Sequence, residues 1–314
     1  MAVNGIPVKT PYMYAHGSVW PETFRMTVRP ADGEALFGVY QSGAWNNYRY
    51  PDISSNIVSV MPRLGETVTN SPHYADKIVW AAPPGGKSVP EESLGSENNP
   101  YDSLQAAVEA GNADGRTVVF AKSGTYRKGS KLGQSAMNRV FIDRAVRLVA
   151  VDRTKPTIIE GERDNASESG CSASSVRCIG VANSKSCCID GFTLTGGYSL
   201  GSGSYGGGAV MADSSTSAQI IGCVISNNFS LRAAAAWGGW LQGCLIAENN
   251  VTEGGNSICR NGIVTGCLFR DNKSISCVAG YNSVNYFCTF DEPGYIVDYA
   301  KPTFHQADTR QVCQ

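Results

Sequence analysis

The chain reads as an all-β solenoid with one helix near its start, and three observations predict it. Segments 221–228, 242–249 and 265–272 repeat a Gly-Cys step followed five residues later by Asn. Cys223, Cys244, Cys267 and Cys288 follow one another at spacings of 21, 23 and 21 residues, a fixed period of the kind that marks stacked structural repeats. The composition agrees: 35 glycines and 17% charged residues suit turns and short strands better than amphipathic helices.

A period of 21 to 23 residues is too short for two packed helices with their turns, but suits one rung of a parallel β-helix, stacked on the next at about 4.8 Å. Cys223, Cys244, Cys267 and Cys288 then form a column on successive rungs. Ile225, Ile246, Phe269 and Phe290, two residues on, share one strand face and point to the core. Asn228, Asn249 and Asn272 stack at a turn, where Asn tolerates left-handed backbone and its amide can hydrogen-bond in a ladder. An earlier copy, 188–195, has Phe192 in the cysteine position, and the glycine-rich run 196–208 reads as a loop insertion.

Before the repeats the sequence changes character. Residues 1–76 are rich in Tyr, Trp and Pro with short apolar runs such as 37–40 and 57–61, and read as a small β-rich module. The solenoid, 77–314, opens with the strand Lys77 to Ala81. Asn99 as N-cap, Pro100 in the first turn, Leu104, Ala107 and Val108 at helical spacing and Gly111 as the stop predict a helix near 100–110. A strand over 117–121 and a turn over 123–127 follow.

The strand 77–81, the helix 100–108 and the strand-turn 117–127 resemble the opening of right-handed parallel β-helix proteins of the pectate-lyase-like superfamily. In that superfamily the helix caps the N-terminal end. Gly207-Gly208-Ala209-Val210 and the endings 225–228, 246–249 and 269–272 are similar to repeats of polymorphic outer-membrane and autotransporter-like surface proteins. The resemblance covers about 77 to 290 and implies the fold, a right-handed parallel β-helix with one N-terminal capping helix. It says little of chemistry, because the matching residues are those that build rungs.

Several functions are disfavoured. Twenty-six Lys and Arg against 27 Asp and Glu give no electrostatic footprint for nucleic acid. No run approaches the roughly 18 apolar residues of a membrane helix, and Met1 to Gly5 lacks the pattern of a signal peptide. The eleven cysteines all follow residue 170, include the adjacent Cys187 and Cys188, and contain no C-x-x-C pair, so they read as buried, mostly reduced residues rather than a disulfide framework or metal site.

The resemblance also sets what an enzyme would need. Polygalacturonase-type sites carry a Gly-His-Gly motif, which this chain lacks. A lyase needs a base and a carboxylate neutraliser, for which Lys122, Arg127, Lys128, Lys131, Arg139, Arg144 and Arg147 are candidates. Glu160, Glu162, Asp164, Asp190 and Asp213 could supply calcium ligands in that case; otherwise no cofactor is expected. For binding, Trp237 and Trp240, with Tyr198, Tyr205 and Tyr281 near loops, offer flat side chains that stack on sugar rings, against the plainer reading that the tryptophans are packing residues.

The leading expectation is a non-catalytic surface or virion fibre or adhesin-type protein, binding a glycan or host-surface ligand, in an extracellular, cell-surface or virion setting. A polysaccharide lyase or other carbohydrate-active enzyme is the alternative. A purely structural assembly protein, with other structural subunits or copies of itself as partners, is the third. An open solenoid end exposes strand edges, so 295–314 or a partner subunit is expected to cover the last rung.

Overall fold

A computed structural model describes residues 33–42, 67–84, 94–182, 187–200, 206–212, 218–252, 257–274, 283–286 and 288–291, together with short strands between residues 2 and 60. Between Lys77 and Asp291 the described residues form the parallel β-helix that the repeats predict. Sheet I stacks eight strands among the described residues: Lys77–Ala81, Thr117–Ala121, Val146–Ala150, Cys187–Asp190, Ala218–Ile221, Trp240–Gln242, Ile263–Thr265 and Val284–Tyr286. Sheet II stacks seven, from Gly124–Tyr126 through Thr157–Glu160, Thr193–Thr195, Val224–Ser226, Leu245–Ala247 and Leu268–Arg270 to Thr289–Asp291. Sheet III runs from the hairpin Lys131–Gly133 and Ala136–Ile142 through Val176–Val181, Val210–Ala212 and Ala236–Trp237 to Cys259–Arg260. Sheet IV stacks Tyr198–Ser199, Phe229–Ser230, Asn250–Val251 and Lys273–Ser274. In the later rungs the chain visits sheets III, I, II and IV in turn.

The N-terminal residues pair differently. Antiparallel partners such as Met26–Val28 with Ile57–Val60, and Leu36–Ser42 with Thr67–Tyr74, make two small sheets over the first 76 residues.

Strand alternation makes the core. One inward column of sheet I reads Val79, Val119, Leu148, Ile189, Ile220, Leu241 and Val264 in unbroken register, all buried. Across from it, sheet II contributes Tyr126, Ile159, Leu194, Ile225, Ile246, Phe269 and Phe290. Each fully buried aliphatic side chain in such a column contributes roughly 1.5–3 kcal/mol.

Two bends per rung carry the repeat signature. At the first, Gly191, Gly222, Gly243 and Gly266 take φ of +76°, +54°, +57° and +59°, a left-handed conformation that costs glycine little. Phe192, Cys223, Cys244 and Cys267 follow them and are buried, as is Cys288 one rung on. The second bend departs from expectation. Its left-handed residues are Gly196, Asn227, Glu248 and Asp271, at φ +62°, +54°, +56° and +52°, not the ladder asparagines themselves. The chain turns one residue earlier, and so Asn228, Asn249 and Asn272 point inward.

There the ladder forms. Asn228 Oδ1 accepts the Gly197 N–H at 2.9 Å, and Asn249 Oδ1 accepts from Asn228 N and Nδ2 at 3.1 and 3.0 Å. Asn272 Oδ1 accepts from Asn249 N and Nδ2, both at 3.0 Å. Each Nδ2 also donates to a strand carbonyl one rung back: Leu194, Ile225 and Ile246.

The helix is shorter than expected. It spans Leu104–Glu109, with Ser103 as N-cap accepting the Ala106 N–H. Tyr101 instead bridges to Ala81, and Pro100 leads into that bridge. Leu104, Ala107 and Val108 close the N-terminal end of the core, and Gln105 Oε1 accepts the Phe141 N–H at 2.7 Å. The expected turn at 123–127 is the first strand of sheet II, because Tyr126 turns inward and its hydroxyl donates to the Ala81 and Lys122 carbonyls at 3.0 and 2.8 Å.

The nine described cysteines are buried and unbridged; Cys277 and Cys313 lie outside the described residues. Sγ of Cys223, Cys244 and Cys288 donates to the carbonyls of Ile189, Ile220 and Val264 at 3.6, 3.4 and 3.6 Å, tying each bend to the preceding rung of sheet I. Burial pushes these thiols up: Cys178 and Cys188 to about 12, and Cys223, Cys244 and Cys267 well above their ordinary value. The unfolded chain therefore releases thiol protons at lower pH than the folded one. This contribution is complete below the ordinary thiol value of 9.0 and is lost as pH rises from there toward about 12. The urea midpoint is expected to fall between about pH 8 and about pH 10.5, with native thiols refractory to alkylation at the lower pH; a midpoint unchanged over that range, or rapid native alkylation of Cys223 or Cys244, would contradict this account.

Candidate functional site

Alternation that sends one set of sheet I residues inward sends two columns outward. The first reads Ile78, Val118, Arg147, Cys188, Gln219, Trp240 and Ile263; the second reads Trp80, Phe120, Val149, Asp190, Ile221, Gln242 and Thr265. Ala35 packs on Val118 and Val149 near the start of this face. Aromatic residues lie toward both ends and charge lies between them.

At the N-terminal end the rings of Trp80 and Phe120 meet at 5.0 Å, and Lys122 Nζ sits 5.7 Å from the Trp80 ring while donating to the Glu97 carbonyl at 2.7 Å. Toward the other end, Trp240 is half-buried and its Nε1 donates to the Thr265 hydroxyl on the next rung at 2.9 Å. That bond fixes the indole plane, leaving one edge of the ring packed and oriented. Gln219 and Ile263, its in-register neighbours, are half-buried like it. Behind them Gln242 is buried with neither amide atom hydrogen-bonded.

The middle of the face holds a charge cluster. Asp190 and Arg147 are each 1% exposed and paired at 3.1 Å, and Arg153, 32% exposed, binds the other oxygen of the same carboxylate. Two guanidinium groups thus share one buried carboxylate. Arg153 crosses directly over the bend glycine: a Cβ on Gly191 would lie 1.1 Å from Arg153 Nη1. Only glycine leaves room for that crossing, so residue 191 serves both the turn and the ion pair.

Of the four residues proposed for binding from sequence, the three described ones, Trp237, Trp240 and Tyr198, are not brought together. Trp237 and Trp240 are separated by the left-handed pair Gly238 and Gly239, which turns the chain from sheet III to sheet I, so the two indoles leave from different faces. Trp237 is 6% exposed, packs on Met211 and Ala233, and carries the Arg260 guanidinium 4.7 Å above its ring. Tyr198 stands on sheet IV, stacked on Phe229 at 5.6 Å. Tyr205, Tyr281 and Asp213 lie outside the described residues.

The basic candidates are held in structural contacts. Arg127 pairs with Glu160, Lys128 with Asp102, and Lys131 with Glu109 and Asp143. Arg144 pairs with Asp143 and donates to the Glu109 and Gly111 carbonyls, where the helix C-terminus favours a cation. Arg139 spans the Glu160 and Gly129 carbonyls and the Glu162 carboxylate. Among the acids, Asp164 is held below the usual carboxylate range by the Ser172 hydroxyl and the Ala166 N–H. Among the described residues no three His, Cys, Asp or Glu side chains gather as a metal site.

Sequence reasoning missed Arg153, Gln219 and the Trp80–Phe120 pair. One signal was available: Asp190, Ile221, Gln242 and Thr265 each stand immediately before a bend glycine, which marks them as one outward column.

No known family profile matches the chain, and no curated protein sequence does. Among solved structures it is similar to the pectate lyase Pel9A, at 14% identity and a TM-score of 0.41 over 74% of this chain. It is also similar to a pectin methylesterase in complex with a hexasaccharide, at 10% identity and a TM-score of 0.34, covering 64% of this chain and 72% of that one. The chain spans 58% of the length of Pel9A. The stacked parallel sheets themselves carry the assignment to a parallel β-helix.

Proposed function

We propose that the protein is a glycan-binding β-helix protein of the surface or adhesin type, holding its ligand on the half-buried part of the outward face of sheet I around Gln219, Trp240 and Ile263. The observation that supports this is Trp240, a half-buried indole fixed by Thr265 on a long regular sheet, with an amide at Gln219 beside it in register. A flat apolar ring next to hydrogen-bonding amides suits the alternating faces and hydroxyl rims of sugars. The basic residues before position 150 favour binding over catalysis, since those named above are engaged with carboxylates or backbone carbonyls. An extracellular, cell-surface or virion setting belongs to the same proposal.

A polysaccharide lyase or other carbohydrate-active enzyme is the second reading, and Arg153 favours it. It lies at the edge of the same face, one-third exposed, and carries the positive charge left over after Asp190 is shared. Such a group suits the carboxylate of an acidic sugar.

Titration of intrinsic tryptophan fluorescence against acidic and neutral polysaccharides, with and without calcium, tests both. Trp240→Ala is expected to weaken binding at least about tenfold, or about 1.4 kcal/mol, with Trp237→Phe binding as the parent does. Loss of binding in neither variant overturns the assignment to sheet I. Release of unsaturated products or new reducing ends moves the protein to the enzyme reading.

A further inference from the structure

The second outward column of sheet I holds a buried amide that no described residue satisfies. Gln242 is 3% exposed, and among the described residues neither its Oε1 nor its Nε2 has a hydrogen-bond partner. Its polar neighbours in the column differ: Asp190 is shared by Arg147 and Arg153, and Thr265 accepts the Trp240 indole N–H. A buried amide without partners is costly, because it has given up water and gained no bond in return. On a binding face, that deficit is one a ligand can make good.

Register places Trp240 against this amide. Trp240 precedes Gln242 by two residues on the same strand, and Thr265 is the in-register partner of Gln242 on the next rung. The indole that reaches from Trp240 to Thr265 Oγ1 therefore passes beside Gln242. On the preceding rung Gln219, half-buried, is in register with Trp240, and Ile221 with Gln242. Two residues along a strand and one rung across put the Cα atoms of Gln219 and Gln242 roughly 8 Å apart. Ile221, Ile263 and the indole make the surroundings of the two amides apolar.

We infer that this patch selects an N-acetylated sugar, with Gln242 as the specificity-determining residue. The Trp240 indole swings off Thr265, and the acetamido N–H of the sugar donates to Gln242 Oε1. The acetamido carbonyl, which points the opposite way in a trans amide, accepts from Gln219 Nε2, and the methyl group lies on the indole face. A trans amide with a hydrogen bond of about 2.9 Å at each end spans roughly 8 Å, comparable with the offset between the two positions. The exchange forfeits one hydrogen bond at Thr265 and makes two. Other ligand groups fit less well. A carboxylate has no donor for Gln242 Oε1, an ammonium has no acceptor for Nε2, and a vicinal diol brings further hydroxyl valences that Ile221 and Ile263 leave unpaired. The inference rests on the glycan-binding reading and adds the class of sugar.

Titration of tryptophan fluorescence in the full chain with the chitin trimer, its de-N-acetylated form and the cellulose trimer tests it. The N-acetylated trimer is expected to bind at least about tenfold more tightly than either of the others. Gln242→Met keeps the volume without the amide, and is expected to bring the chitin and cellulose trimers within about twofold of each other. Its thermal midpoint is expected at or above the parent's, since an unsatisfied amide has been removed, which separates lost recognition from lost folding. Equal affinity of the parent for the trimers, or a preference that survives Gln242→Met, overturns the inference and leaves the glycan reading standing. A midpoint well below the parent's would show the amide to be satisfied in the free protein and overturns it as well. Binding of no saccharide by the parent overturns both.

Discussion

Asp190→Ala is expected to lower the unfolding free energy by about 3–5 kcal/mol, the cost of leaving a buried cation without its carboxylate. Arg147 loses its 3.1 Å partner in a position 1% exposed to water, and Arg153 loses the contact that holds it over Gly191. Asp190→Asn keeps the shape and one acceptor but not the charge, so it is expected to fall between parent and alanine variant. The combined replacement Arg147→Leu with Asp190→Leu removes both charges and is expected to recover much of the loss, since burying a charge pair roughly offsets its own desolvation. Urea unfolding with an unchanged slope is the measurement. A loss below about 1 kcal/mol for Asp190→Ala would show the pair to be solvated and remove it as an organising element of this face.

Asn249→Ala is the second large effect, expected at about 3 kcal/mol. The change removes an oxygen that accepts from both Asn228 N and Nδ2, and an amide that donates to the Ile225 carbonyl. These groups are buried, and each one left unsatisfied costs about 1–3 kcal/mol, partly offset by relaxation. Position along the ladder provides the control. Asn228→Ala and Asn249→Ala break the ladder between occupied rungs, whereas Pro293 succeeds Asn272 in the repeat. Asn249→Ala is therefore expected to exceed Asn272→Ala by at least about 1 kcal/mol; equal losses would mean that the amides act singly and not as a connected series.

The repeats made the rungs readable because a stacked fold writes its register into the chain at a constant interval. Cys223 to Cys288, and the column from Ile225 to Phe290, needed only that interval and strand alternation, and they lie in register or bury as a set. Dihedral detail was less accessible. Asn was expected in the left-handed position, yet Asn227, Glu248 and Asp271 occupy it, because burying the ladder amide requires the bend one residue before. The helix began later than Asn99 suggested because residue 101 was drawn into a bridge with Ala81.

The chemistry of the outward face was not readable in the same way. Asp190 lies 43 residues from Arg147 and 37 from Arg153, and their meeting depends on a rung whose length differs from the later repeats. Trp237 and Trp240 misled in the opposite direction: proximity in sequence suggested one patch, and a two-glycine corner divides them. Local periodicity reports which side of a strand a residue takes, but not which sheet surrounds it.

The direction of the hydrogen bonds has a mechanical consequence. All four sheets run their backbone bonds parallel to the solenoid axis, joining each rung to the next. Tension along that axis therefore loads rung contacts in series, so extension would proceed by peeling one coil after another, each releasing a similar length of chain. A load across the axis meets many coils side by side. The molecule is thus compliant lengthwise and stiff in cross-section, a tape rather than a rod.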